Sequence, residues 1–170
     1  VRVVASQAGD ATYNPAPEQT NVYTVTGYAE VTITSAHSST IPVTGVYTML
    51  VGTVFTNQVQ TPDTQGTTQY VCTGWAATEN LDPAGGSGTQ AVVTVSGDGT
   101  LTWLWRTEYW LDPSAGPHGA VDRIGGWFTN NEPVTVDALP DAYYHFTNWT
   151  GDVEAGDVLA RMPREAAKTR

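Results

Sequence analysis

Hydrophobic and polar residues alternate in short runs along much of the chain. Ala29, Val31 and Ile33 alternate with polar neighbours in AEVTIT, which is the period of a strand with one buried face. Further runs rich in Val, Thr and aromatic residues are VYTMLVGTVFTN at 46–57, TQYVCTGW at 68–75, AVVTV at 91–95 and LTWLWRTEYWL at 101–111. Gly and Pro separate many of these runs. The pattern predicts an all-β fold.

The run at 101–111 is unusually long for a strand. Gly97-Asp98-Gly99 precedes it and predicts a tight turn, so we expect this run to form a hairpin with the run at 91–95. Its length also allows different partners at its two ends, which predicts a central Trp-rich strand shared by two units. Trp103 and Trp105 lie on one face of this strand, and core packing is the favoured role for both.

Two blocks of sequence occur twice. GTVFTN at 52–57 recurs as GGWFTN at 125–130, and YVCTGW at 70–75 recurs as YHFTNW at 144–149. The spacing between the blocks is kept to within one residue, and in the second copy they flank the alternating segment EPVTVDAL. We therefore predict two related small β units, β-grasp-like or sandwich-like, each a series of strands separated by turns.

The second copy, GGWFTNNEPVTVDALPDAYYHFTNWTGD, resembles the bacterial repeats called divergent internalin B-type repeats, over about residues 115–153. The first copy and its Trp-rich arm, at about 29–111, resemble the module that often precedes such repeats. The resemblance implies β-grasp-type extracellular modules that act as spacers, stalks or adhesive segments of exported proteins, without catalytic residues. The expected organisation is an N-terminal strand or linker segment at 1–28, a first unit at 29–111 and a second at 112–170.

The C-terminal residues depart from that repeat pattern. EAGDVLARMPREAAKTR at 154–170 lacks the alternation of a closing strand, so the second unit is expected either to close irregularly or to leave an edge open. A neighbouring copy of the chain could fill such an edge with a strand from its N-terminal segment, building a filament. The candidate donor residues are Val1, Val3, Val4, Val22, Tyr23 and Val25. Further copies or flanking modules are the expected partners.

The formal net charge is −10, with 17 acidic and seven basic residues. Duplex nucleic acid and anionic membranes both need a basic protein face, so neither is an expected partner. No run of about 18 apolar residues occurs, which argues against membrane insertion. The chain lacks an initiating Met and a signal segment, and we expect a processed product or a fragment of a larger secreted or cell-surface protein.

Residues that could carry catalysis are scattered. His37, His118 and His145 show no metal-binding spacing, and the chain contains no nucleophile elbow, phosphate loop or dinucleotide fingerprint. Cys72 lies among aromatic neighbours and is expected to be a buried small hydrophobe. The sequence therefore predicts a protein that is not an enzyme and has no catalytic or cofactor-binding residues.

Six tryptophans support an alternative function, a carbohydrate-binding module that stacks sugar rings on exposed indoles. The repeat pattern assigns Trp75 and Trp149 to the core. Trp110 and Trp127 are then the candidate ligand-stacking residues, and extracellular polysaccharide is the corresponding partner. Such a platform requires at least two exposed and coplanar rings.

Calcium is the only cofactor that the acidic composition brings into question, because acidic extracellular β proteins often bind it through loop carboxylates. The candidate ligands are Asp82, Asp98, Asp152, Glu154 and Asp157. Their spacing does not match a calcium loop, and Asp beside Gly is also common in turns. No metal-binding residues are therefore predicted.

Overall fold

The computed structural model describes residues 9–14, 21–78 and 80–151. The strands in these residues are β1 (Tyr28–Thr34), β2 (Thr40–Ile41), β3 (Gly45–Leu50), β4 (Val54–Val59), β5 (Asp63–Gln65), β6 (Thr68–Ala77), β7 (Leu81–Asp82), β8 (Gly85–Gly86), β9 (Gln90–Val95), β10 (Gly99–Leu111), β11 (Gly119–Val121), β12 (Gly126–Thr129) and β13 (Ala138–Pro140). The described residues contain no helix, and the all-β prediction is confirmed.

The chain divides into two compact units that alternate along the sequence. Unit 1 comprises Val1–Val59 and Gly74–Leu104, and unit 2 comprises Gln60–Thr73 and Trp105–Arg170. The long Trp-rich strand β10 contributes residues to both units. The first unit was expected to span 29–111. In the structure, β5, the first part of β6 and residues 105–111 belong to unit 2 instead.

Unit 1 contains two sheets. In one, the order is β3-β1-β10-β6, and β8 also pairs with β6; the other has the order β2-β4-β9-β7. β1 is antiparallel to β3 but parallel to β10, with Val31 opposite Gly99. β9 is antiparallel to both β4 and β7. The parallel pair therefore joins two strands that lie far apart in sequence.

The inward faces of these two sheets form the core of unit 1. Trp103 of β10 donates its indole N–H to Oδ1 of Asn57 in β4 at 2.8 Å, and Nδ2 of Asn57 donates to the carbonyl of Pro42 at 2.6 Å. A buried amide is thereby satisfied on both sides. The buried hydrophobic residues are Ala29, Val31, Ile33, Val59, Trp75, Leu81, Ala91, Val93, Val95, Leu101 and Trp103. The alternation read in AEVTIT and AVVTV thus marks the core faces of β1 and β9.

The predicted hairpin of β9 with β10 is wrong. The turn at Gly97-Asp98-Gly99 exists, but it carries the chain from one sheet into the other, since β9 pairs with β4 and β7 while β10 pairs with β1. Oδ1 of Asp98 accepts the backbone N–H of Glu30 at 2.8 Å, which ties the turn to β1. Both strands have one apolar face, and both can use it to cover the same core from opposite sides.

The run at 46–57, predicted as one strand, forms the two strands β3 and β4. The chain turns between them, where the N–H of Thr53 donates to the carbonyl of Leu50 at 3.1 Å. The N–H of Val51 donates to the carbonyl of Gly27 at 3.0 Å and extends the ladder of β3 with β1. Residues 22–26, part of the N-terminal segment expected to form a strand or linker, lie outside every strand.

Unit 2 is built from short pairings. β5 pairs with the first part of β6, β12 pairs with the last part of β10, and β11 pairs with β13, all antiparallel. Among the described residues of this unit, only Gln69 and Glu108 are buried. Polar side chains therefore occupy its most protected positions.

The second copy of the repeat forms fewer strands than predicted. Phe55 and Phe128 both lie in strands, but the strand predicted at 144–149 is absent and EPVTVDAL forms a strand only at its end, in β13. In the first copy Gly74 has a φ of +138°, and a Cβ there would collide with the carbonyl oxygen of Gly86. The second copy has Asn148 at the corresponding place, and its side chain is incompatible with that close approach.

Candidate binding face

One face of unit 2 combines aromatic and charged side chains. Arg106, Glu108 and Trp110 alternate along β10 and therefore point to the same side of the strand. On the neighbouring strand β12, Trp127 lies opposite Trp110 and Thr129 lies opposite Glu108. We refer to these five residues, together with Gln69 of β6, as the β10 face.

The carboxylate of Glu108 is held on both oxygens. Oε2 accepts a hydrogen bond from Nε2 of Gln69 at 2.6 Å, and Oε1 accepts bonds from Nε of Arg106 at 3.0 Å and from its Nη2. The side chain of Glu108 is 12% exposed, whereas that of Arg106 is 50% exposed. Glu108 thus fixes the guanidinium group of Arg106 while leaving part of it open to solvent.

Trp110 and Trp127 form an edge-to-face pair. Their ring centroids lie 5.3 Å apart with an interplanar angle of 64°, Trp110 is 40% exposed and Trp127 is half-buried. The rings are therefore not the coplanar platform that a two-ring stacking site requires. Opposed side chains on adjacent strands lie close together, and an edge-to-face arrangement is favourable at that spacing. Trp110 alone offers an exposed ring.

Gly125 supports the position of Trp110. A Cβ at residue 125 would lie 2.8 Å from Cζ2 of Trp110 and 3.0 Å from the carbonyl oxygen of Leu111. Any larger residue would therefore displace the indole. The first glycine of the GGWF block accordingly has a packing role beside the candidate stacking residue.

A second carboxylate lies at the margin of the β10 face. Oε2 of Glu132 accepts the backbone N–H of Thr129 at 2.9 Å and the Thr129 hydroxyl at 2.8 Å. The backbone hydrogen bond, followed by the hydroxyl bond, lowers the pKa of Glu132 below its ordinary value of 4.5, and the charges of Arg106 and Arg123 act in the same direction. This face therefore carries fixed positive and negative groups as well as an exposed indole.

The structure describes only some of the candidate strand-donor residues. Val1, Val3 and Val4 lie outside the described residues. Val22, Tyr23 and Val25 are exposed by 90%, 60% and 68% and belong to no strand. This part of the N-terminal segment therefore presents apolar side chains to solvent.

The calcium candidates are only partly described. Asp152, Glu154 and Asp157 lie outside the described residues. Asp82 and Asp98 are described, and Asp98 serves as the acceptor in its turn. Within the described ranges, no group of three or more His, Cys, Asp or Glu residues is placed to hold a metal ion.

The remaining tryptophans are mostly protected. Trp75 and Trp103 are 5% and 2% exposed, as expected of core residues, and Trp105 is half-buried. Trp149, expected in the core, is only half-buried and packs against Phe146 with the ring centroids 5.1 Å apart. Trp110 is therefore the most exposed of the six tryptophans.

The other residues considered for chemistry are exposed or half-buried. His145 is exposed and outside any strand, while His118 stacks in parallel on Tyr144 with centroids 4.1 Å apart. Cys72 is half-buried rather than buried, and its backbone N–H donates to the Thr61 hydroxyl at 2.8 Å. None of these residues contributes to the β10 face.

No family model, curated protein or solved structure matches this chain. In the part of the chain that the structure describes, no helix is long and apolar enough to cross a membrane. The resemblance to bacterial extracellular repeats therefore stays a prediction based on the residues quoted above.

Proposed function

We propose that the chain is a non-catalytic structural and adhesive module of a secreted or cell-surface microbial protein, and that it adheres to extracellular polysaccharide through the β10 face. The observation that carries this proposal is the exposed indole of Trp110 on the same face of β10 as a guanidinium group held in place by Glu108.

Saccharide recognition needs an aromatic surface for the apolar face of a sugar ring and oriented polar groups for its hydroxyls. Trp110 supplies the aromatic surface. An arginine has five N–H donors, of which those of Nε and Nη2 contact Glu108, and the Arg106 side chain is 50% exposed. Four strand positions span about 13 Å, so an extended saccharide of a few rings fits along the face from Trp110 to Arg106.

The bonding of Glu108 favours recognition over catalysis. A general acid or base must reach the substrate with an available oxygen. Both oxygens of Glu108 accept hydrogen bonds from Gln69 or Arg106. The carboxylate is thus suited to positioning its neighbours.

Titration of the full chain with a panel of neutral and acidic polysaccharides, followed by tryptophan fluorescence and calorimetry, tests the proposal. Trp110→Ala is expected to weaken binding at least about tenfold, because exposed aromatic anchors dominate such contacts. Tyr143→Ala is the matched control, since Tyr143 is a fully exposed aromatic residue outside the face, and it should leave affinity unchanged. Absence of binding across the panel, or equal loss in both variants, would contradict the saccharide role.

A second candidate function is assembly by strand donation, favoured by the exposed apolar residues Val22, Tyr23 and Val25. Burying such side chains in another copy would stabilise a filament. Negative-stain imaging should show filaments of the full chain and only monomers after removal of residues 1–26. The truncation keeps Gly27, whose carbonyl bonds to Val51. Filaments formed by the truncated chain would rule this mechanism out.

A further inference from the structure

The edge of β3 in unit 1 lacks the charged residues and prolines that usually prevent an edge strand from pairing. Among the residues that the structure describes, β3 is the first strand in its sheet and pairs only with β1. Its sequence GVYTML contains no charged residue and no proline. On its outer face Val46 and Leu50 are 62% and 46% exposed. An edge of this kind is a template for pairing with another chain.

The other edge strands among the described residues are short, and most have proline beside or within them. β2 and β7 contain two residues each and are followed by Pro42 and Pro83, β5 contains three residues and follows Pro62, and β13 ends at Pro140. β8 consists of two glycines, β11 of three residues and β12 of four. Short edges and prolines limit pairing with other strands. The six-residue β3 edge is therefore the exception.

The ladder with β1 determines which backbone groups of β3 point outward. Val51 donates its N–H to the directly opposed Gly27, and hydrogen-bonded pairs alternate along an antiparallel ladder. The odd-numbered residues of β3 therefore bond to β1. Val46, Thr48 and Leu50 direct their N–H and C=O groups away from it, although the carbonyl of Leu50 also accepts from Thr53.

We propose that the β3 edge pairs with β3 of a second copy of this chain, antiparallel about a two-fold axis at Thr48. In this register Val46 lies opposite Leu50 of the second copy, and the two Thr48 residues lie opposite each other. These are the residues whose backbone groups point outward, so hydrogen-bonding positions of the two edges coincide. A register shifted by one residue would not match them.

The side chains are self-complementary in the same register. Val46 packs on Leu50 of the second copy, the two threonines face each other, and no like charges meet. The arrangement is isologous and closes at two copies, so it predicts a dimer and not a fibre. A single strand pair is a small interface, and the expected dissociation constant is in the micromolar to millimolar range. This pairing is independent of the proposed saccharide binding.

Sedimentation of the full chain from about 10 μM to about 1 mM tests the pairing, a range set by the weak affinity of small interfaces. Thr48→Lys should weaken dimerisation at least about tenfold, because it sets two ammonium groups opposite each other. Thr56→Lys is the matched control, since Thr56 is also exposed but lies in β4, opposite Val92 of β9 and away from the β3 edge. A native chain that stays monomeric, or a Thr48→Lys variant that dimerises as well as the control, would overturn the proposal.

A spin label identifies the surface that pairs. Thr48→Cys in a Cys72→Ser background carries the label at the two-fold axis, and the dimer should show dipolar broadening that disappears on dilution with unlabelled protein. Thr56→Cys, labelled in the same background, should show none. A dimer without broadening at residue 48, or an open-ended assembly that requires residues 1–26, would mean that another segment occupies the edge and would overturn the two-fold pairing.

Discussion

The two units protect different kinds of side chain. All eleven buried hydrophobic residues among the described residues belong to unit 1, whereas the buried residues described in unit 2 are Gln69 and Glu108. Unit 1 is therefore stabilised mainly by burial of apolar area. Unit 2 relies on hydrogen bonds, a salt bridge and aromatic ring contacts, whose net contributions are smaller. Substitutions in the two units should consequently differ in size and in kind.

The largest effect is expected from Trp103→Ala in unit 1. The change removes a large buried side chain and leaves Oδ1 of Asn57 without its donor, at a cost of about 3–5 kcal/mol in the free energy of unfolding. Trp110→Ala removes the same residue type from an exposed position in unit 2 and should cost less than about 1 kcal/mol. Urea denaturation measures both, and equal costs would contradict the contrast between the units.

Glu108→Gln should have an intermediate effect confined to unit 2. It replaces the charged acceptor of Arg106, and since Arg106 is half exposed the cost is about 1–2 kcal/mol. Hydrogen exchange should accelerate at amides around Gln69 and remain unchanged at core amides of β1 and β9. Glu30→Gln, an exposed acidic residue in β1, is the control and should alter neither. Faster exchange throughout unit 1 would show that the effect is not local.

Gly125→Ala tests the packing under Trp110. The added Cβ overlaps the indole, so Trp110 must change its position in the pair with Trp127, at a cost of about 1 kcal/mol. Near-ultraviolet circular dichroism should lose the signal of the tryptophan pair, and saccharide affinity should fall with it. Gly116→Ala has open space around the new methyl group and should preserve the spectrum. An unchanged spectrum in Gly125→Ala would contradict this role of the glycine.

The smallest effect concerns pH. Because the folded-state pKa of Glu132 is lowered below 4.5, its hydrogen bonds to Thr129 stabilise the fold fully above pH 4.5. That contribution is lost as the pH falls through the lowered pKa. A carboxyl titration followed by NMR should place the Glu132 midpoint below 4.5, and Thr129→Val should move it upward. A native midpoint at or above 4.5 would contradict the observed hydrogen bonds.

Strand positions could be predicted from the sequence better than strand partners. β1, β9 and β10 follow directly from residue alternation, because a one-sided core imposes a period of two. The same alternation says nothing about which sheet receives a strand, so the hairpin at Gly97-Asp98-Gly99 was the natural but wrong expectation. The strand at 144–149 was expected wrongly for a related reason. The second copy keeps the aromatic spacing of the first, but Asn148 stands where the first copy has Gly74.

The β10 face could be predicted only in part. Trp110 and Trp127 were candidates because the repeat pattern assigned Trp75 and Trp149 to the core and core packing was favoured for Trp103 and Trp105. Gln69 and Glu108 are separated by 39 residues and belong to strands whose pairing the sequence did not reveal. Their hydrogen bond depends on register, which residue periodicity alone does not determine.

The parallel pairing of β1 with β10 has a consequence for the order in which the chain folds as it emerges from the ribosome. β1 can join β3 as soon as residue 50 is available, because the two strands are neighbours in sequence. Its other edge stays open until β10 appears, since Val31 pairs with Gly99. Until then, one edge of β1 lacks its partner strand and its apolar side chains lack part of their core. Long-range pairing of this kind slows folding and favours aggregation. Slow release of the chain would prolong that exposure, and holding by a chaperone would shield it.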